Sequence, residues 1–159
     1  MTALPSSDLA AATTLPEVLA ESLERHHGVA MRVRRDGAVQ ETTFAELVTA
    51  AREIAAGLIA HGLGPGDRVA ILGNTRPEWT LADFGAIFAG TTVVPVYHTN
   101  SPEECEYVLA HSGARILICE DAAQRDKVES VRAAARARAR VHDGGDRGIA
   151  VARRPARGW

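Results

Sequence analysis

The chain is expected to be α/β, with a partial parallel sheet flanked by helices. Three short apolar runs, RVAILG, TTVVPVY and ARILICED, have the nearly unbroken aliphatic character of strands buried on both faces. Helical patterns alternate with these runs, so strand, helix, strand, helix, strand makes two successive βαβ units. Right-handed crossovers then lay the helices against both sides of the sheet. At 159 residues, 46% of them hydrophobic, there is enough apolar material for one core of ordinary domain size.

Residues 1–13 read as a flexible head. Their sequence, MTALPSSDLAAAT, has neither the basic nor the apolar region of a signal peptide. No apolar stretch reaches the roughly 18 residues of a membrane span, so a cytoplasmic protein is expected. Thr14 and Glu17 fit a capping box, and Leu15, Val18, Leu19 and Leu23 follow at helical spacing until Gly28. VAMRVRRDGAVQET reads as a hairpin turning at Asp36-Gly37. Thr43 and Glu46 open the strongest helix, with Phe44, Leu47, Val48, Ala51, Ile54, Ala55, Leu58 and Ile59 in one apolar stripe.

After a Gly-Pro-Gly-Asp loop comes the first core strand, RVAILG. RPEWTLADFGAIFAG is helical, with Pro77 in the first turn and Trp79, Phe84, Ile87 and Phe88 expected inward. TTVVPVY is the second strand, with a local conflict at Pro95, which cannot donate to a ladder. Ser101 and Glu104 cap the helix SPEECEYVLAHSG, and ARILICED is the third strand.

Several chemical motifs fail on context. Gly62, Gly64 and Gly66 imitate a dinucleotide fingerprint, but they precede a strand instead of following one, and so read as a turn. There is no Walker loop, no H-E-x-x-H and no G-x-S-x-G. His26, His27, His61 and His111 fall near helix C-termini, where imidazole complements the helix dipole, and no metal spacing is present. Cys105 and Cys119 sit in apolar patterns as buried, reduced thiols, although a single disulfide between them stays open.

In an open parallel sheet, ligands meet the C-terminal strand ends. Those ends are Gly73-Asn74-Thr75-Arg76, Tyr97-His98-Thr99-Asn100, and Glu120-Asp121 leading to Arg125. The competing structural reading has Asn74 and Ser101 capping helices, Tyr97 in the core and Arg125 solvated.

The stretch from GDRVAILGNTRPEW through ICED resembles the N-terminal region of the long-chain acyl-CoA synthetases, in the AMP-forming adenylating superfamily. The resemblance rests on N-x-R-P-E-W, A-G-x-x-x-V-P-V-Y and Y-x-T-x-S-P-E in that order, preceded by the helix TFAELVTAAREIAAGLIAHGLGPGD. It covers residues 14–130, taken as the N-terminal portion of an AMP-binding domain. His98 departs from the proline common at that position. The resemblance implies a ligase that activates a fatty acid with ATP and Mg to an acyl-adenylate and passes it to CoA. The phosphate loop, the acidic residues for Mg and ribose, and the catalytic lysine of that family would lie further along. No catalytic or metal residue is therefore expected within this chain. Only CoA contacts of a complete enzyme carry over, at His98, Thr99 and Arg125, where the arginine could pair a phosphate, and no cofactor is expected to bind well to this chain alone.

Residues 131–159 differ in kind from what precedes them. Residues 1–130 hold 10 basic and 18 acidic residues, a net of −8, whereas the tail holds 8 Arg against Asp143 and Asp146, a net of +6. A disordered or helical tail is expected. If helical through residue 141, it would line up Arg132, Arg136 and Arg140 as a stripe for nucleic acid or another polyanion. Trp159 is its only aromatic residue, which disfavours nucleic acid. The rival reading is a change of frame: from Ala133 to Trp159, 19 of 27 residues are Ala, Arg or Gly, which GC-rich codons give in any frame. A truncated, inactive ligase follows from that reading, with exposed apolar surface prone to self-association.

Overall fold

A computed structural model describes residues 14–134, 140–144 and 149–153. The proposed head, residues 1–13, lies outside them, as do Arg136 and Trp159. The elements are α1 (Leu15–Arg25), β1 (Val29–Arg35), β2 (Ala38–Thr43), α2 (Phe44–Ala60), β3 (Arg68–Gly73), α3 (Pro77–Phe88), β4 (Thr92–Tyr97), α4 (Pro102–Ser112), β5 (Ile116–Cys119), α5 (Ala122–Ala134), β6 (Arg140–Gly144) and β7 (Ile149–Arg153).

All three capping boxes form. Thr14, Thr43 and Ser101 each accept from the amide of the glutamate three residues on, and that glutamate accepts from the cap amide in return. Two otherwise unpaired donors are thereby satisfied at each helix start. The β1–β2 hairpin turns at Asp36 (φ 49°) and Gly37 (φ 80°), a pair of positive dihedrals that matches the twist of the flanking strands. The Gly62–Gly66 segment is a turn, closed by Asp67 as its amide donates to the Gly64 carbonyl and its carboxylate accepts from the Gly64 amide. Arg115, at the start of β5, donates to the same carboxylate at 2.5 Å and to the Gly62 carbonyl at 3.0 Å.

The large sheet runs β4-β3-β5-β7-β6, with β3 parallel to both β4 and β5. Side chains alternate across it. Ala70, Leu72, Val96, Leu117 and Cys119 pack with Cys105 and Leu109 of α4 and Val128 of α5. Val69, Ile71, Ile116 and Ile118 pack on the other face against Ala55 and Leu58 of α2 and Ala82 and Ala86 of α3. The expected α/β architecture with helices on both faces is therefore the observed one.

Pro95 fits because β4 is the edge of the sheet. The Thr92 amide donates to the Asp67 carbonyl toward β3 at 2.8 Å. With a period of two, Val94 and Val96 also face β3, while Pro95 turns its missing donor to the open side.

Three details differ from the sequence reading. On α3 the buried positions are the small residues Ala82, Gly85 and Ala86, while Trp79, Phe84, Ile87 and Phe88 are only partly covered. The cause is close contact with α2: a Cβ on Gly85 would land on the Ile54 side chain, so the helices meet backbone to side chain. Ile59 leaves the apolar stripe of α2 and is 54% exposed. Finally, the tail is not one continuous helix. α5 ends at Ala134, and Arg140 lies in β6, so Arg132 and Arg140 do not share one helical face; Arg136 lies outside the described residues. β7 pairs antiparallel with β5 and β6 with β7, covering backbone groups that β5 would otherwise leave unpaired.

Candidate functional site

The C-terminal ends of β3 and β5 converge on one carboxylate. Glu120, just past β5, accepts from the Asn74 amide at 2.7 Å and from Asn74 Nδ2 at 2.9 Å through Oε2. Its Oε1 accepts from Arg76 at 3.0 Å. The approach is close enough that a Cβ on Gly73 would stand 2.8 Å from the Glu120 Cβ, so glycine at the end of β3 is a steric requirement. Arg76 also donates through Nε to Glu78 at 2.7 Å, and Arg35 from β1 donates to the other oxygen of Glu78. One chain of charge-assisted bonds thus links the hairpin, the start of α3 and the sheet.

The electrostatics follow from this pairing. Burial pushes the Glu78 carboxyl up, but the Arg76 and Arg35 hydrogen bonds outweigh it and hold its pKa at about 2. Glu120 behaves alike: burial works against ionisation, and the Asn74 and Arg76 donors prevail and lower its pKa. Both groups are anions with every carboxylate oxygen engaged. Neither fits as a metal ligand or as a general base. Among the described residues no group of three or more His, Cys, Asp and Glu could hold a metal ion. The thiols offer no nucleophile. Both are free and buried, and burial, reinforced by the Asp121 charge, pushes Cys119 up to about 12.

A shallow cleft opens beside this network between β3, β5 and α3, with Ile71, Trp79, Ala82 and Ile118 among its apolar lining. A wider groove runs from there along β1, past Arg32, Arg34 and Arg35.

The second strand end is organised separately. Tyr97-His98-Thr99-Asn100 is a turn closed by the Asn100 amide on the Tyr97 carbonyl at 3.0 Å. Thr99 is exposed and His98 half-buried. Tyr97 is 75% exposed, so it is not part of the core. Its position on the edge strand leaves nothing to cover it among the described residues. Lys127 of α5 donates to the carbonyls of His98 and Asn100 at 2.7 and 3.0 Å.

Arg125 lies in the first turn of α5, whose start Asp121 caps by accepting from the Gln124 amide. Its guanidinium contacts the Asp126 carboxylate at 3.0 Å. Two residues from Lys127 on a helix is about 200° round the axis. The turn is joined to α5 through Lys127.

Of the structural roles weighed from the sequence, Ser101 does cap its helix. Asn74 does not: the residue before α3 is Arg76, which makes no side-chain cap, and Asn74 is bonded to Glu120 instead. The ionic network was missed as a unit because its members lie 43 to 46 residues apart, at Arg35–Glu78, Arg76–Glu120 and Asn74–Glu120. Lys127 carried no local motif at all. Its one distinguishing sign was being the sole lysine beside 17 arginines.

No helix among the described residues is long and apolar enough to cross a membrane. The rat long-chain-fatty-acid–CoA ligase ACSBG2 (Rattus norvegicus) is 37% identical over 119 residues, which is 74% of this chain and 18% of that protein. FadD15 of Mycobacterium tuberculosis, also a long-chain-fatty-acid–CoA ligase, is 41% identical over 85 residues, 54% of this chain and 14% of its own length. The chain thus spans less than a fifth of these relatives. Among solved structures, the anthranilate CoA ligase AuaEII in complex with anthranoyl-AMP superposes with a TM-score of 0.69 at 26% identity. The superposition covers 82% of this chain and 24% of that one. A fatty acyl CoA synthetase of Mycobacterium tuberculosis shares the fold at 0.67 and 23% identity, over 76% and 24% of the two chains. The AMP-binding enzyme family matches residues 19–152, most of the sheet and its helices, and the chain belongs to that family.

Proposed function

We propose that this chain is the N-terminal part of an AMP-forming long-chain fatty acid–CoA ligase, working in the cytoplasm, and that it is inactive without the rest of the enzyme. The observation that carries the reading is the family match through β3, α3, β4, α4 and β5, joined to relatives that are themselves long-chain ligases. In the whole enzyme a fatty acid, ATP with Mg, and CoA are the substrates. Glu120 at the end of β5 and Glu78 at the start of α3 are saturated by arginine and amide donors, so no step is routed through a metal held here. The part played by these residues is to hold the end of β3, the start of α3 and the end of β5 together.

His98, Thr99 and Arg125 are the residues we assign to CoA, with the Arg125 guanidinium suited to a phosphate. An Arg→Ala change at the matching position of an intact ligase should raise the KM for CoA roughly tenfold, the effect of one lost charge-assisted bond, with kcat little altered. An unchanged KM would remove Arg125 from the assignment.

Residues 131–159 we read as translated out of frame after the domain portion of 14–130. Composition supports this, while the reach of the family match to residue 152 weighs against it. Reading the downstream DNA in the two other frames decides the matter. One of them should resume with a Ser/Thr/Gly-rich phosphate loop, and the frame change is wrong if neither does. With Arg140 in β6, a continuous basic helix gripping a polyanion has lost its geometric support.

A further inference from the structure

The β4–α4 turn is held from below by a group that the ligase reading does not use. Lys127 directs its ammonium at two main-chain carbonyls, those of His98 and Asn100, 29 and 27 residues earlier in the chain. Such bonds to a charged donor are about twice as strong as neutral ones. A compact ammonium on a flexible stem can serve two carbonyls of one turn, which the planar fork of arginine does poorly. This is the only position in the chain where the basic residue is lysine.

The consequence lies on the other side of the peptide. All described peptide bonds are trans, so the Thr99 N–H points opposite to the His98 carbonyl. With that carbonyl drawn down to Lys127, the Thr99 N–H faces outward from an exposed residue. Among the described residues it makes no hydrogen bond. The next outward donor along the turn, the Ser101 amide, is already taken by Glu104 at 2.8 Å. Thr99 is thus the open donor of the turn, and two of the three Lys127 protons are committed beneath it.

We infer that Lys127 is the positioning residue of this turn: by drawing the His98 and Asn100 carbonyls onto α5, it aims the Thr99 N–H at a phosphate-bearing ligand that the lysine itself does not touch. The ligand part rests on the assignment of His98 and Thr99 to CoA.

The test uses the full 159-residue chain with Lys127→Met and Lys127→Arg. The Asn100 amide, which closes the turn on Tyr97, reports the turn by hydrogen exchange. Its exchange should rise at least roughly tenfold in K127M, which removes both charge-assisted bonds to the turn, while amides of β3 and β5 keep their protection. K127R, whose planar fork cannot serve both carbonyls equally, should restore only part of it. CoA titrated into the wild type should shift the Thr99 amide resonance, and K127M should abolish that shift. Unchanged Asn100 exchange in K127M overturns the inference, and so does a Thr99 shift of equal size in K127M and wild type. Should K127M fail to fold, exchange of the Lys127 ammonium protons in the wild type decides, because unprotected protons there also overturn it. A wild-type Thr99 amide that ignores CoA removes the CoA assignment instead, while Asn100 exchange still decides whether Lys127 holds the turn.

Discussion

At Glu78 two guanidinium groups meet one half-buried carboxylate, and the balance of burial against hydrogen bonding has a measurable consequence. The group's pKa is about 2 in the folded chain against an ordinary 4.5. A depressed carboxylate stabilises the fold fully above its unfolded pKa and loses that contribution as pH falls through its folded one. The window is therefore about pH 4.5 down to 2. Allowing for the partly exposed arginines, about 1–2 kcal/mol should be lost between pH 7 and pH 3. Glu78→Gln should flatten that part of the curve, as read from urea midpoints at the two pH values. If the variant and the wild type lose stability in parallel, Glu78 is not the source. None of this was legible locally. PEW announces a helix start, but not that Arg35 would arrive from a hairpin 43 residues earlier.

The elements were far more legible than the site, because caps and periodicity act within a few residues. Each of the three expected capping boxes opened a helix, and each apolar run became a strand paired as the βαβ rule requires. Pro95 looked like a conflict only until its strand was known to be an edge, where the missing donor faces no partner. α3 went astray for a different reason. Large apolar residues were expected inward, yet the contact surface with α2 is made of Ala82, Gly85 and Ala86. Which side of an all-apolar helix faces its neighbour depends on how closely two backbones approach, and hydrophobicity alone does not encode that distance.

For the whole molecule, the same partial coverage becomes a prediction about behaviour. Trp79, Phe84, Ile87 and Phe88 are incompletely covered, Tyr97 and Ile59 are exposed, and the outer edge of β4 is unpaired among the described strands. The chain spans 18% of its rat relative, so a larger partner surface is built into that enzyme's plan. The isolated chain should therefore self-associate and unfold broadly. Sedimentation velocity across a concentration series should show a rising weight-average size. A single monomeric species with a sharp, reversible transition would refute this.

By itself the sequence determined the class of fold, the order of its helices and strands from α1 to β5, and the family, since all three are written in short-range patterns and ordered motifs. The tertiary structure alone decided that Asn74 serves Glu120 and caps no helix, that Tyr97 lies outside the core, and that α5 stops before Arg140. It alone brought the single lysine beneath the turn bearing His98 and Thr99. The division has one physical cause. Caps and strand periods are settled by neighbours in sequence, whereas a carboxylate or an ammonium finds its partner only after the sheet has brought distant strand ends together.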